Sequence, residues 1–145
     1  MKQQINTLNL YTDGAYSSST KMGGWAVYCP EIRLKIANQE KNTTNNRMEM
    51  TAAINALKWV LLAKAPITMI NIYSDSLYVI NTMKGLYQKK TNNDLWDYLD
   101  RLCLKLSEKE VTVNWIHVKG HAGHPENEVV DRLANLLSQT KLIRQ

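Results

Sequence analysis

The chain has 145 residues, 44% of them hydrophobic and 21% charged, with 18 Lys+Arg against 13 Asp+Glu for a formal net charge of +5. This balance fits a globular domain with its own core and excludes a disordered or low-complexity chain, so one domain over 1–145 is expected. The longest apolar runs fall far short of the ~20 residues a membrane span needs, and the start MKQQINTLN lacks a signal peptide's apolar segment, so a cytoplasmic chain without membrane contact is expected.

Leu8, Leu10 and Thr12 alternate with Thr7, Asn9 and Tyr11, a period of two that predicts a strand ending at Asp13-Gly14. A polar turn, AYSSSTKMGG, follows. GGWAVYCP predicts a second strand stopped by Pro30, and Ile32, Leu34 and Ile36 alternate with Arg33 and Lys35 in a third. From Asn46 the period becomes helical, with Met50, Ala53, Ile54, Leu57 and Leu61 on one face before Pro66. Ile67 to Tyr73 predicts a strand and Asp75 to about Lys84 a helix ended by Gly85. LYQKKTNN forms a basic connection to a helix from Asp94 to Ser107, whose apolar face holds Leu95, Leu99, Leu102 and Leu106. VTVNWIHV predicts the last strand, and Pro125 opens a terminal helix with Val130, Leu133, Ala134 and Leu137 inward.

The order βββαβααβα belongs to the α/β class. Closely spaced early strands should form a three-stranded antiparallel meander, while strands separated by helices need crossovers and pair in parallel. The expected product is a five-stranded mixed sheet flanked by helices. Ligands of such sheets favour the carboxyl ends of the parallel strands, where Asp13 and Asp75 stand.

Four acids have positions that could converge there: Asp13 and Asp75 at strand ends, Glu49 in the first turns of the long helix, and Asp131 near the start of the last. Carboxylates brought together repel unless a cation lies between them, and oxygen-only ligands favour magnesium or manganese. Each acid also has a structural alternative. Asp13 could serve a turn, Glu49 a capping box with Asn46, Asp75 a helix cap, and Asp131 the positive end of its helix. His121 and His124 are spaced as zinc ligands could be, but neither cysteine lies nearby to complete such a site. Cys29 and Cys103 fall on apolar segments of different elements, as reduced thiols do. If four of the acids share one site, the remaining surface is more basic than the net charge suggests, which suits a polyanionic partner.

The strings TDGA, TTNNRMEM, YSDSLYVIN and WIHVKGHAGHPENEVVDRLAN resemble, in order, the signature blocks of type 1 ribonuclease H. The resemblance covers Tyr11 to Asn135, and the GHAGHPEN block is its most specific part. It implies a ribonuclease H-like fold and an endonuclease that hydrolyses the RNA strand of RNA/DNA hybrids, leaving 5′-phosphate and 3′-hydroxyl ends. By the family pattern Asp13, Glu49, Asp75 and Asp131 hold two Mg2+ ions, with Mn2+ a substitute. His121 takes the place of the family's loop histidine, which assists proton transfer or product departure, whereas His124 suits a structural role at a helix start.

Gly14, Asn45, Asn46 and Glu49 match family positions for ribose and minor-groove contact, the surface that carries the 2′-hydroxyl. Thr44 and Asn92 match a pocket for a phosphate of the DNA strand. Asn42 stands where relatives often have arginine, which removes a fixed cation; Lys41 beside it is a candidate replacement. The interval KGLYQKKTNN is too short for the basic, tryptophan-rich protrusion of several cellular relatives, leaving Lys84, Lys89 and Lys90 as candidate phosphate contacts and predicting salt-sensitive hybrid binding weaker than in relatives that carry the protrusion. Trp25, Tyr28, Trp59 and Trp115 read as core, while Trp96 and Tyr16 stay open between core and base stacking. A monomer without an obligate protein partner is expected. The alternatives are the ribonuclease H domain of a reverse transcriptase, a DNA-cutting enzyme on a similar sheet, and a noncatalytic hybrid-binding module.

Overall fold

The computed structural model describes residues 6–119 and 124–141. Its elements are β1 (Thr7–Ser17), β2 (Met22–Cys29), a 3-10 turn (Pro30–Ile32), β3 (Leu34–Lys41), α1 (Asn45–Leu62), β4 (Met69–Ser74), α2 (Leu77–Met83), α3 (Asn93–Glu108), β5 (Thr112–His117) and α4 (Pro125–Ser138). The strands form one sheet in the order β3-β2-β1-β4-β5. β1, β2 and β3 pair antiparallel, and β4 pairs parallel with both β1 and β5. This is the mixed sheet the element order predicts.

Several boundaries differ from the sequence pattern: β4 starts at Met69 and not Ile67, α2 starts at Leu77 and not Asp75, and two changes fall in the first strands. β1 does not end at Asp13-Gly14 but continues to Ser17, because Gly14, Ala15, Tyr16 and Ser17 pair with Trp25, Gly24, Gly23 and Met22. The small polar residues there look like a turn, and only the cross-strand partners make them a strand. Ile32 belongs to the 3-10 turn instead of the third strand; Arg33 after it takes a left-handed conformation, φ 52°, and restarts the chain as β3. The parallel pairing of β1 with β4 still stops at Tyr11–Tyr73, so Asp13 lies two residues past its carboxyl end.

The faces of the sheet follow from alternation. Leu8 and Leu10 of β1, Trp25 and Val27 of β2 and Ile70 and Ile72 of β4 join one core with Met50, Ala53 and Leu57 of α1 and Trp96, Leu99 and Leu106 of α3. Each large aliphatic side chain buried there contributes roughly 1.5–3 kcal/mol. Trp96, 1% exposed, is a core residue and not a stacking platform. α4 covers the other face. Gly24 makes its close approach possible, since a Cβ there would meet the Ala134 carbonyl oxygen at 2.3 Å. The α4 end of the helix is tied down by Gln39 Nε2, which donates to the carbonyls of Leu137 and Thr140 at 3.1 Å each.

On the α4 side of the sheet, Asn9, Asn71 and Asn114 lie in register across β1, β4 and β5. Asn71 Nδ2 donates to Asn9 Oδ1 at 3.0 Å, and Asn114 Nδ2 donates to Asn71 Oδ1 at 2.9 Å. Tyr73 stacks on Tyr11 with ring centroids 4.4 Å apart and donates its hydroxyl to Asn9 Oδ1 at 2.9 Å. Cys29 is buried and Cys103 half-buried, both as free thiols; burial pushes them up to about 12 and about 11, so neither is a reactive thiolate at neutral pH.

Candidate active site

Each acid of the central cluster is presented by a different element. Asp13 projects from β1, Glu49 from the second turn of α1, and Asp75 from the residue after β4. Their carboxylate oxygens lie within 4.8 Å of one another. The structural alternatives for these residues are not what the chain uses. Thr44 Oγ1, not an Asn46–Glu49 box, caps α1 by accepting from Arg47 N at 3.1 Å, and Ser76 Oγ, not Asp75, caps α2 by accepting from Val79 N at 3.2 Å. Asp13 sits inside a strand instead of a turn.

Gly14 joins β1 to α1. Its backbone N–H donates to Asp13 Oδ1 at 2.8 Å and also to Glu49 Oε1 in a short contact. A Cβ at Gly14 would meet Glu49 N and Met48 C, each at 2.3 Å, so only glycine lets the strand and helix backbones come this close. One amide thereby sets the position of two carboxylates.

The electrostatics are unbalanced. Asp13 and Glu49 are 4% and 5% exposed, and no described lysine or arginine forms an ion pair with either of them or with Asp75. Burial pushes the Asp13 carboxyl up to about 7, with the charges of Asp75 and Asp131 adding to it, although hydrogen bonds from Glu49 and the Gly14 amide oppose the rise. Glu49 is driven well above the usual carboxylate range, first by burial and then by the hydrogen bond and charge of Asp13. Three clustered carboxyls with oxygen donors only, and with their compensating cation supplied by no described side chain, fit a hard divalent ion.

Asp131 stands at the rim. It is half-buried on α4, near enough to raise Asp13, but it is not part of the tight trio. Its Oδ1 accepts from Asn135 Nδ2 at 3.1 Å, which orients the carboxylate from one helical turn away.

A family model for RNase H matches residues 5–139. The chain belongs to the ribonuclease H family. Among the proteins it resembles is a ribonuclease H of Thermoanaerobacter sp. (strain X514), 41% identical over 150 aligned positions that cover 92% of this chain and 91% of the relative. Ribonucleases H of Dechloromonas aromatica (strain RCB) and Saccharopolyspora erythraea are 41% and 39% identical, covering 89% of this chain in each case and 91% and 88% of the relatives. The chain is thus a bacterial-type ribonuclease H and an enzyme of that family.

The other positions expected of a ribonuclease H fall into two groups. Asn45 and Asn46 begin α1 and are exposed, one turn from Glu49. Lys41 ends β3 and Asn42, with φ 51°, turns the chain toward Thr44; both are exposed. Asn92 also adopts a left-handed conformation, φ 61°, immediately before α3. A side chain the sequence reading passed over links these places. Arg47 donates to Asn92 Oδ1 at 3.2 Å and grips Asp94 with both terminal nitrogens, at 3.0 and 2.8 Å. Asn92 in turn donates to the Tyr78 hydroxyl at 3.0 Å.

In the short basic connection, Lys89 is ion-paired with Asp100, so its charge is spent within the protein, whereas Lys84 and Lys90 are exposed. His121 lies outside the described residues, and His124 is the exposed residue before Pro125 of α4, with no capping bond from its side chain. No described helix is long and apolar enough to cross a membrane.

Proposed function

We propose that this chain, read as one ribonuclease H domain over residues 1–145, is an endonuclease that hydrolyses the RNA strand of RNA/DNA hybrids and leaves 5′-phosphate and 3′-hydroxyl ends. The observation that carries this reading is the cation-deficient trio of buried Asp13 and Glu49 and half-buried Asp75 at the carboxyl edge of the parallel strands. Asp13, Glu49, Asp75 and Asp131 would hold two Mg2+ ions, with Mn2+ as a substitute. Such a pair supplies charge stabilisation for both the attacking and the leaving oxygen of an in-line displacement.

The protein's own groups do the positioning. The Gly14 amide fixes Asp13 and Glu49 before substrate arrives, which lowers the reorganisation needed during reaction. Asn45 and Asn46, exposed beside Glu49, offer amide donors and acceptors to the minor groove, where the 2′-hydroxyl marks the RNA strand. His121 is assigned the transfer of a proton near the scissile phosphate or the release of product. Thr44 and Asn92 would receive a phosphate of the DNA strand. The guanidinium of Arg47 is already gripped by Asp94, so with asparagine at position 42 that pocket relies on hydrogen bonds more than on a free cation. Lys41 and Lys90 remain as exposed cations for the backbone, Lys89 less so.

The deciding experiment offers labelled RNA/DNA hybrid, duplex DNA and duplex RNA side by side, with magnesium or with EDTA, and maps the product ends. Cleavage confined to the RNA of the hybrid and dependent on the metal is expected. Cutting of duplex DNA, or undiminished cleavage in EDTA, would overturn the reading.

A further inference from the structure

Of the four acids, Asp131 lies outside the tight trio and lacks the support that the trio has. Asp13 and Glu49 share the Gly14 amide, whereas Asp131 projects from α4, half-buried and in no ion pair among the described residues. It lines a hollow of about 460 Å³ on the flank of α4 together with Arg132 and Asn135, and Arg132 leaves it unpaired. A carboxylate in such a place turns among rotamers, and fixing it when an ion arrives costs affinity.

Asn135, one helical turn on, removes that freedom. Its Nδ2 donates twice, to the Asp131 backbone carbonyl at 2.9 Å and to Asp131 Oδ1 at 3.1 Å. A backbone carbonyl and an ionised carboxylate can only accept, so the amide nitrogen and not its oxygen must face them. Neither side chain can turn without losing a bond. Oδ2 of Asp131 accepts from no described residue and is the free oxygen of that carboxylate. The support is itself anchored: the Ser138 hydroxyl donates to the Asn135 carbonyl at 2.9 Å, Thr20 Oγ1 donates to the Ser138 carbonyl in a short contact, and Gln39 ties down Leu137 and Thr140.

Asn55 in α1 supplies the comparison. Its Nδ2 donates to the Thr51 carbonyl four residues back at 2.8 Å and reaches no carboxylate. Such a bond is ordinary for a polar side chain inside a helix. Asn135 makes the same bond and carries it on to an acid. We propose that Asn135 is a positioning residue for the metal site, holding Asp131 ready as a ligand and thereby raising the affinity of the four acids for divalent ions. This rests on the reading above that those acids hold the ions. Partners that orient a metal's ligands contribute about 10–100-fold in affinity, and Asn135 acts at the acid with the fewest other restraints.

The test titrates Mn2+ into the metal-free full chain by isothermal titration calorimetry, with no nucleic acid present. Asn135→Ala is expected to weaken binding about tenfold and to raise by a similar factor the Mg2+ concentration that half-activates hybrid cleavage. Its metal-free melting temperature should be kept, since alanine is the better helix former. In an Asp131→Ala background the same substitution should do nothing more, because the group it positions is gone. Asn55→Ala, which deletes a helix bond of the same kind, should leave Mn2+ binding unchanged. Unaltered affinity in Asn135→Ala, a further tenfold loss in the Asp131→Ala background, or an equal loss in Asn55→Ala overturns the proposal. Asp13→Asn separates the two readings. If it binds Mn2+ as tightly as the unaltered chain, the metal site has failed and the role of Asn135 falls with it; if it weakens binding and Asn135→Ala does not, the site stands and only this inference is lost.

Discussion

Asp13 and Glu49 lie buried with other carboxyls for neighbours, while Asp94, on the surface, is gripped by both terminal nitrogens of Arg47. The same functional group is driven in opposite directions by these settings. Burial first, then neighbouring negative charge, raises Asp13 to about 7, whereas the Arg47 hydrogen bonds hold Asp94 down at about 2. The contrast separates two uses of charge. Asp94 is satisfied within the fold and gains nothing from a ligand; Asp13 and Glu49 are costly until a cation arrives, and that cost is a measure of their fitness to bind one.

The comparison can be attacked most strongly at Asp13. Asp13→Asn should lower magnesium-dependent hybrid cleavage by about a thousandfold or more, since the proposed metal site would lose one of its carboxylates. Near-native turnover in a cleavage assay would remove Asp13 from the site. Gly14→Ala should come next: the strand and α1 must part to admit the methyl group, costing about 3 kcal/mol by thermal or urea melting, with activity falling alongside as Glu49 leaves the amide. A variant as stable as the parent would show that the close approach is not needed.

A third measurement reads the raised carboxyl directly. Without metal, the folded chain holds a proton on Asp13 up to about pH 7 that the unfolded chain releases near pH 4. Protonation therefore favours the fold. Stability should be greatest at the acid end of that window and fall as pH rises through it, by on the order of 4 kcal/mol; magnesium should flatten the slope, and Asp13→Asn should reduce it while the buried Glu49 keeps its share. Stability in EDTA that rises over the same window would contradict the unbalanced site. Asp94 has the reverse sign. Its folded pKa is lowered, so its contribution is present above about pH 4 and fades only as pH falls through about 2.

The smallest effect belongs to the exposed pair. Arg47→Ala frees Asn92 on one side and should raise the KM for hybrid about threefold with kcat kept, the mark of lost ground-state binding. A fall in kcat with KM unchanged would place Arg47 with the chemistry instead.

What the sequence disclosed follows the range of the forces involved. Alternation at Leu8 and Leu10 and the leucine stripe of α3 announce themselves because burial repeats with the period of the element. The three clustered acids were legible for a related reason, their places at strand ends and in the first turns of a helix. Ser17 was not legible as strand, since its state depends on Met22 across the pair. Arg47 was missed because its partner lies 47 positions away, a distance at which spacing carries no signal. Gly24 was missed likewise: its need to be glycine comes from the Ala134 carbonyl of α4. Trp96 could not be sorted from the exposed aromatics until α3 was seen to turn it inward beside Tyr78, with ring centroids 5.3 Å apart.

The amide chain through Asn9, Asn71 and Asn114 works as a gauge of distance. A slip of β4 against β1 by one residue would turn Ile70 and Ile72 out of the core, but a slip by two keeps inside and outside as they are. That second error would carry Asp75 about 6.6 Å along the strand relative to Asp13, enough to scatter the trio. It would also set Asn71 opposite Thr7 or Tyr11 and break its bond to Asn9. Three neutral amides on one side of the sheet thus act as a vernier for two charged groups at its edge, so that the spacing between Asp13 and Asp75 is already calibrated when the strands first align.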